Sequence, residues 1–214
     1  MDNNLLPMFP LQLVAFPGEK LNLHVFEPRY KQLVQHCQKT GSTFGIPPFL
    51  DKKLMDFGTE LRIVDIDKTY PDGKMDIKTE GVGIFRVEQF FNGMEGRLFA
   101  GATVERMPLD YEGDFMLTNK LIDKISELFQ IMNIKKEIPE NTPGFNTYQV
   151  AHHVGFNVNQ EYEFLRIPKE VDRQQFMLRH FQRLLPVVRE MEELRKRVQM
   201  NGHFKNAIPP DFKL

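Results

Sequence analysis

Nucleophilic chemistry has few candidate residues in this chain of 214 residues. Ser42 and Ser126 are its two serines, and neither lies in the Gly-x-Ser-x-Gly turn that exposes a hydrolase nucleophile. The single cysteine, Cys37, falls on the apolar stripe of a predicted helix, where burial raises a thiol pKa and suppresses reactivity. We therefore predict no serine or cysteine nucleophile.

Metal and phosphate sites are not indicated either. His152 and His153 are adjacent, so on a helix their side chains diverge by about 100° and cannot bind one ion together. The six histidines include no H-E-x-x-H pair, and the sequence contains no Gly-x-x-x-x-Gly-Lys phosphate loop. We expect no metal, no cofactor and no catalytic residue.

Apolar residues occur in two segments that the sequence pattern predicts to be solvated. The first is residues 45–58, a predicted loop, and the second is a predicted two-residue turn at Asn92-Gly93 between two strands. The candidate polypeptide-binding residues in them are Pro47, Pro48, Phe49, Leu54, Met55, Phe91 and Met94. Apolar side chains exposed together form a patch of the kind that binds protein. Whether the 45–58 loop is exposed or packed stays open at this point.

The charge balance and the N-terminus exclude several classes of protein. The 28 basic and 29 acidic residues leave a net charge of −1, which does not favour binding to nucleic acid. The N-terminal MDNNLLPMFP lacks the basic region and the uninterrupted apolar run of a signal peptide. A lone cysteine fits a reducing compartment. We predict a cytoplasmic protein that binds neither DNA nor membranes.

Strand signals come first in the chain and helix signals second. The apolar spacing predicts a helix that begins at Pro28 and ends at Gly41, and then a β-hairpin around Pro71-Asp72-Gly73. From about residue 114 the period becomes helical and ends in a long helix from about 171 to 200 with Pro186 inside it. The order predicts an α+β fold, with a curved antiparallel β domain at 1–110 and a helical bundle with a C-terminal tail at 111–214.

Several short motifs follow one another in the N-terminal half. They are Pro10, Phe16-Pro17-Gly18, Phe26-Glu27-Pro28-Arg29-Tyr30, Gly58-Thr59, Asp72-Gly73, Glu80-Gly81 and Phe85-Arg86. In this order they resemble the N-terminal substrate-binding domain of Lon proteases over residues 7–106, and the helical half is similar in layout. The chain resembles the stand-alone bacterial form without ATPase and peptidase domains, so proteolysis is not implied.

The resemblance implies a PUA-like pseudo-barrel followed by a helical bundle. It also implies a non-catalytic, ATP-independent protein that binds unfolded or partner polypeptides, through apolar loops in our interpretation. A separate protease or chaperone is a candidate cooperating partner, and the oligomeric state stays open. Residues 16–18 and 27–30 are interpreted as framework rather than as a binding site.

Two alternatives are kept. The first is a PUA-like RNA-binding module, whose affinity would fall steeply with salt. The second is an enzyme built from the dispersed acids Glu60, Asp65, Asp67 and Glu80, although period-2 placement puts them on a solvated strand face.

Overall fold

The computed structural model describes residues 4–94, 96–138 and 140–204. The strands within these ranges are β1 (Leu5–Met8), β2 (Lys20–Val25), β3 (Phe44–Ile46), β4 (Phe49–Leu50), β5 (Lys53–Leu54), β6 (Phe57–Thr69), β7 (Met75–Phe91) and β8 (Ala100–Met107). The helices are α1 (Pro28–Thr40), α2 (Phe115–Ile131), a 3-10 helix (Thr147–His153), α3 (Val158–Leu165) and α4 (Glu170–Phe204).

The main sheet closes on itself through its longest strand. β7 pairs with β6 along one edge, while its other edge pairs first with β2 and then with β8. The ring β7–β6–β3–β1–β8 is therefore closed, and β2 extends it beside the first half of β7. All pairs in the ring are antiparallel except β1 with β3. Closure leaves few free strand edges, which limits unwanted pairing with other chains.

Irregularities in the β6–β7 hairpin bend it into the ring. The register shifts between Glu60 and Leu61, where Val82 is the extra residue between Gly81 and Gly83. This confirms the bulge that the two glycines predict. A Cβ added at Gly81 would lie 2.2 Å from the Phe16 carbonyl oxygen. Only glycine therefore lets the turn Phe16-Pro17-Gly18, called the FPG turn below, pack this closely on β7.

Helix α1 forms as its sequence predicts. Pro28 stands at its start, where a missing N–H is harmless, and Gly41 ends it with a φ of 67°. Its buried face consists of Tyr30, Leu33, Val34 and Cys37, at spacings of three, four and seven residues from the first. This stripe covers the interior of the ring beside strands β2, β3, β6 and β7.

The helical part is anchored by local caps and by one buried ion pair. Asp114 caps α2 by accepting from the Leu117 amide, and α3 begins with the predicted capping box of Asn157 and Gln160. In α4 the fully buried Arg173 lies 2.7 Å from the equally buried Glu170.

A continuous apolar core joins the strands to the helices. Phe16, from the FPG turn, stacks on Tyr148 with 5.4 Å between ring centroids and meets the edge of Phe164 at 6.0 Å. The same cluster includes Leu50 from β4 and Ile84 from β7. Because strands and helices share this core, each part covers apolar surface of the other; the division of the chain at residue 110 stays a prediction.

Three local predictions need correction. The predicted loop 45–58 contains the end of β3 and the whole β4–β5 hairpin, because Leu50 is buried and pulls the segment onto the core. The connection after β7 is not a two-residue turn, since Phe91 pairs with Gly101 and residues 92–99 form a longer loop. The short helix that Asn146 caps is a 3-10 helix. The predicted C-terminal tail lies, from residue 205 on, outside the described residues.

The predicted fold class is confirmed: a mixed α+β chain with a mainly antiparallel curved sheet followed by helices that end in a long one. In the described part of the chain, no helix combines the length and the apolar character that crossing a membrane would require.

Candidate functional site

A groove of about 580 Å³ lies between the β4–β5 hairpin and the loop that joins β7 to β8. Its volume is in the range of pockets that bind small molecules or single peptide side chains. Apolar side chains make up most of the lining, and Gln12 and Asn92 add hydrogen-bonding groups. Among the described residues that line the groove, Arg29 supplies the charge.

The floor of the groove is formed by buried Met8 and Tyr30. The first turn of α1 positions Tyr30, whose ring stacks on Phe9 with 3.8 Å between centroids. The Arg29 guanidinium lies 4.5 Å from the centroid of the Tyr30 ring and 2.8 Å from the Glu27 carboxylate. Burial raises the pKa of the Tyr30 hydroxyl, which is therefore protonated at neutral pH. The floor therefore presents the uncharged Tyr30 ring, and the Arg29 charge beside it is already paired with Glu27.

The β4–β5 hairpin forms one wall of the groove. Its turn residues Asp51 and Lys52 have φ values of 48° and 63°, the backbone of a type I′ turn. Alternation along β4 turns Leu50 into the core and leaves Phe49 37% exposed. Phe49 pairs with Leu54 of β5, and both side chains line the groove.

The β7–β8 loop also lines the groove. Phe99 is fully buried and anchors this loop, while its neighbour Leu98 is 61% exposed at the rim of the groove. The Leu98 amide donates to Gln32 Oε1 of α1 at 2.6 Å, which holds the rim in place. Met94 packs where Gly101 has no side chain, since a Cβ there would lie 2.6 Å from Met94 Sδ. The exposed Leu98 is thus held by ordered neighbours.

The five predicted site residues of the 45–58 segment have different environments. Phe49 and Leu54 line the groove. Pro47 and Pro48 are buried, and the Pro48 carbonyl accepts from the Met55 amide at 2.9 Å. The Met55 side chain packs against the core that joins strands and helices. The segment therefore contributes two groove residues and three supporting residues.

The two predicted site residues of the second segment lie beside the groove. Phe91 is half-buried, and Met94 is half-buried and packs against the core under α1. Phe90, Leu98 and Tyr30 line the groove instead and were not among the predicted residues. Tyr30 belongs to the Phe26–Tyr30 motif, whose residues 27–30 were interpreted as framework, yet Arg29 and Tyr30 both line the groove. Strand alternation also separates Phe90 from Phe91, but sequence alone does not tell which of the two faces outwards.

A histidine bridges the strand part and the helical part away from the groove. His152 Nδ1 lies 2.7 Å from Glu161 Oε1, and its Nε2 lies 3.2 Å from Glu19 Oε2. Burial by itself lowers the pKa of His152, but the hydrogen bonds and charges of the two glutamates together outweigh it and raise the pKa to about 9. At neutral pH the imidazolium thus links the FPG turn region to α3 and to the 3-10 helix.

The four acids of the enzyme alternative are engaged separately. Glu60 and Glu80 each pair with a different arginine at 2.7 Å. Asp67 pairs with Lys78, and Asp65 is exposed near the same lysine. Glu60 is buried, so the solvated position expected for it is wrong, because Arg106 and Thr43 satisfy its carboxylate inside the fold. The acids form separate ion pairs rather than two carboxyl groups directed at one reacting atom.

Metal and thiol chemistry receive no support from the described residues. In residues 4–94, 96–138 and 140–204, no group of three or more histidine, cysteine or acidic side chains is placed to hold a metal ion. Burial raises the pKa of the Cys37 thiol to about 11, and its Sγ donates to the Thr43 carbonyl at 3.7 Å. Cys37 is therefore a core residue of α1.

Comparison with solved structures places the fold among Lon N-terminal domains. The chain is similar to a Lon N-terminal domain protein from Xanthomonas campestris, with 25% identity and a TM-score of 0.64 over 81% of this chain and 96% of that one. It is also similar in fold to the N-terminal domain of Lon protease from the Mycobacterium avium complex, with 12% identity and a TM-score of 0.66 over 84% of this chain and 99% of that one.

The family comparison agrees with the structures. Residues 5–183 match the family model described as the substrate-binding domain of ATP-dependent protease La (Lon). The match begins at β1 and ends within α4, so it includes the ring, the groove and the helical core. The chain belongs to the family of Lon substrate-binding domains.

Proposed function

We propose that the groove binds an extended apolar segment of an unfolded or partner polypeptide, without ATP and without chemical change to that polypeptide. The observation that carries the proposal is that two exposed apolar side chains, Phe49 and Leu98, line the same mainly apolar groove. Membership in a family of substrate-binding domains supports it. The polypeptide would place one or two large apolar side chains against Phe49 and Leu98.

The energy of binding would come from burial rather than from charge. Phe49 and Leu98 lose exposed apolar surface when a peptide side chain enters, and aromatic anchors of this kind dominate many interfaces. Arg29 is already paired with Glu27, so it adds little net attraction for an anion. Affinity should therefore change little with salt, in contrast to an RNA-binding module, whose affinity falls steeply.

The test is peptide binding by fluorescence anisotropy, with labelled segments of an unfolded casein as the probe. Phe49→Ala and Leu98→Ala should each weaken binding about 10-fold, a loss of about 1.4 kcal/mol. Phe26→Ala is a matched control for Phe49→Ala, because Phe26 is also exposed, at 56%, and does not line the groove. It should leave affinity unchanged.

The results separate the alternatives. Equal effects of the Phe49 and Phe26 variants would exclude the groove as the site. Absence of binding by any casein segment would contradict polypeptide recognition. Binding of a labelled single-stranded RNA whose affinity falls more than about 100-fold between 50 and 200 mM salt would favour the RNA-binding alternative.

A further inference from the structure

The C-terminal half of α4 carries an exposed apolar stripe. Val187, Met191, Leu194 and Val198 follow one another at spacings of four, three and four residues. At about 100° per residue these four side chains share an arc of about 60° on the helix surface. Each is between 52% and 70% exposed. We call these four residues the α4 stripe.

The α4 stripe is separate from the side of α4 that packs into the molecule. Met177, Phe181 and Leu185 are buried in the shared core. On a regular helix their mean direction differs from that of the stripe by about 110°. The fold of one chain therefore does not use the stripe within the described residues. Its alternating four- and three-residue spacing is typical of a seam between two long helices.

We propose that the α4 stripe binds a second copy of this chain, with the two α4 helices antiparallel about a two-fold axis. The charges beside the stripe fit this arrangement. Glu190 and Arg197 lie on the same flank of the stripe, one heptad apart, with opposite signs. In an antiparallel pair Glu190 of each copy faces Arg197 of the other, so the attraction occurs twice.

The contacts within one chain leave these charges available. In the described residues Glu190 makes no salt bridge, and Arg197 reaches Glu193 only at 3.8 Å, with its side chain 73% exposed. An antiparallel arrangement also separates the two cores, because the buried residues of α4, Met177, Phe181 and Leu185, lie before the stripe and so at opposite ends of the pair. Antiparallel helix dipoles add a small favourable contribution.

The size of the surface makes the dimer weak. From Val187 to Val198 the stripe is about 16 Å long. Such a contact is smaller than a standard protein interface, so we expect dissociation constants of about 10–100 µM.

The first test is sedimentation equilibrium of the full chain over about 5–500 µM, a range that brackets this expectation. The wild-type chain should shift from monomer to dimer, and Leu194→Lys should weaken the dimer at least 20-fold. Val64→Lys is the control, because Val64 is a similarly exposed apolar residue on β6, at 59%. It should dimerise like the wild type, and circular dichroism checks that both variants are folded.

The second test is a charge exchange. Glu190→Arg and Arg197→Glu should each weaken the dimer about fivefold, and the double variant should return to within twofold of the wild type. A parallel pair would instead bring Glu190 near Arg195, so the double variant would not recover. Lys196→Glu changes charge on the opposite side of the helix and should have little effect.

Three results would overturn the proposal. The first is a wild-type chain that stays monomeric throughout the range, as it would if residues 205–214 or a different protein covered the stripe. The second is a Leu194→Lys variant that dimerises like the wild type. The third is a double charge variant that fails to recover, which would exclude the antiparallel arrangement.

Discussion

Replacement of Arg173 by methionine would test how strongly one buried ion pair stabilises the helical part. Its guanidinium lies 2.7 Å from the Glu170 carboxylate. It also donates to the carbonyl oxygens of Ile167 at 2.8 Å, Pro168 at 2.9 Å and Asp110 at 2.8 Å. The side chain therefore ties α4 to the segment before it and to the segment that leads into α2.

The expected loss follows from what methionine leaves behind. It fills much of the arginine volume, but it leaves the Glu170 carboxylate and three carbonyls without this donor. Removing one partner of a buried pair costs about 3–5 kcal/mol. The Thr147 amide and hydroxyl still donate to Glu170, at 2.8 and 3.1 Å, so we expect the lower value, about 3 kcal/mol. That is a large part of a typical total stability of about 5–15 kcal/mol.

The loss should also depend on pH. Burial raises the pKa of Glu170 even with Arg173 present, and without the arginine charge the pKa rises further. A folded state with a raised carboxyl pKa binds a proton more readily than the unfolded state. The stability of the folded protein therefore falls as pH rises above the pKa that the Glu170 carboxyl has in the unfolded chain. The deficit of Arg173→Met should be smaller at pH 5 than at pH 7.5.

Urea unfolding followed by circular dichroism at these two pH values measures both effects. Glu170→Gln combined with Arg173→Met should recover at least about 1 kcal/mol, because a neutral amide costs less to bury than a carboxylate. Arg62→Met is the matched control, and with its side chain 61% exposed in a surface ion pair it should change stability by less than about 1 kcal/mol. A loss below about 1 kcal/mol, or one equal at both pH values, would refute the reasoning.

Three further predictions concern single residues. His152→Ala should lower the free energy of unfolding by about 1 kcal/mol at pH 7, a value discounted for solvent screening. The stabilisation that comes from the raised His152 pKa is fully present below pH 6.5 and is lost as pH rises through about 9. Urea midpoints that fall equally with pH in the wild type and the variant would contradict this. Gly81→Ala should destabilise the protein by about 1–3 kcal/mol, because the added Cβ would meet the Phe16 carbonyl. Gly83→Ala should be near neutral, because nothing lies within 4 Å of a Cβ there. Equal melting temperatures of the two variants would contradict this difference. Cys37 should react with a thiol reagent at pH 7.5 only after denaturation, and rapid labelling of the folded chain would contradict its burial.

Local signals predicted the helix ends well. The start of α1 at Pro28, its end at Gly41 and the capping box at Asn157 each depend on residues within one turn of the helix. The turn of the β6–β7 hairpin at Gly73 is equally local, with a φ of 77°. These features could be predicted because the groups that interact are close in the sequence.

The β4–β5 hairpin and the β7–β8 loop could not be predicted in the same way. Asp51-Lys52 is not a typical type I′ pair, and the turn forms because the buried Leu50 holds the hairpin on the core. Asn92-Gly93 is a typical pair, yet the strands separate there, because Phe99 is buried further along the loop. In both cases distant packing outweighs the local preference.

The groove shows the same division. The sequence indicated that Phe49 and Leu54 were apolar residues in an exposed setting. Leu98 and Tyr30, which line the same groove, come from other segments of the chain. Their approach depends on the β1–β8 and β7–β8 pairings that close the ring.

The sequence by itself determined the family, the order of strands before helices, and the helix caps, because motifs, periodicity and capping are properties of neighbouring residues. Only the tertiary structure decided which apolar residues are buried and which line the groove or form the α4 stripe. Burial depends on contacts between segments up to more than one hundred residues apart, as between Phe16 and Tyr148, and no local pattern encodes such contacts.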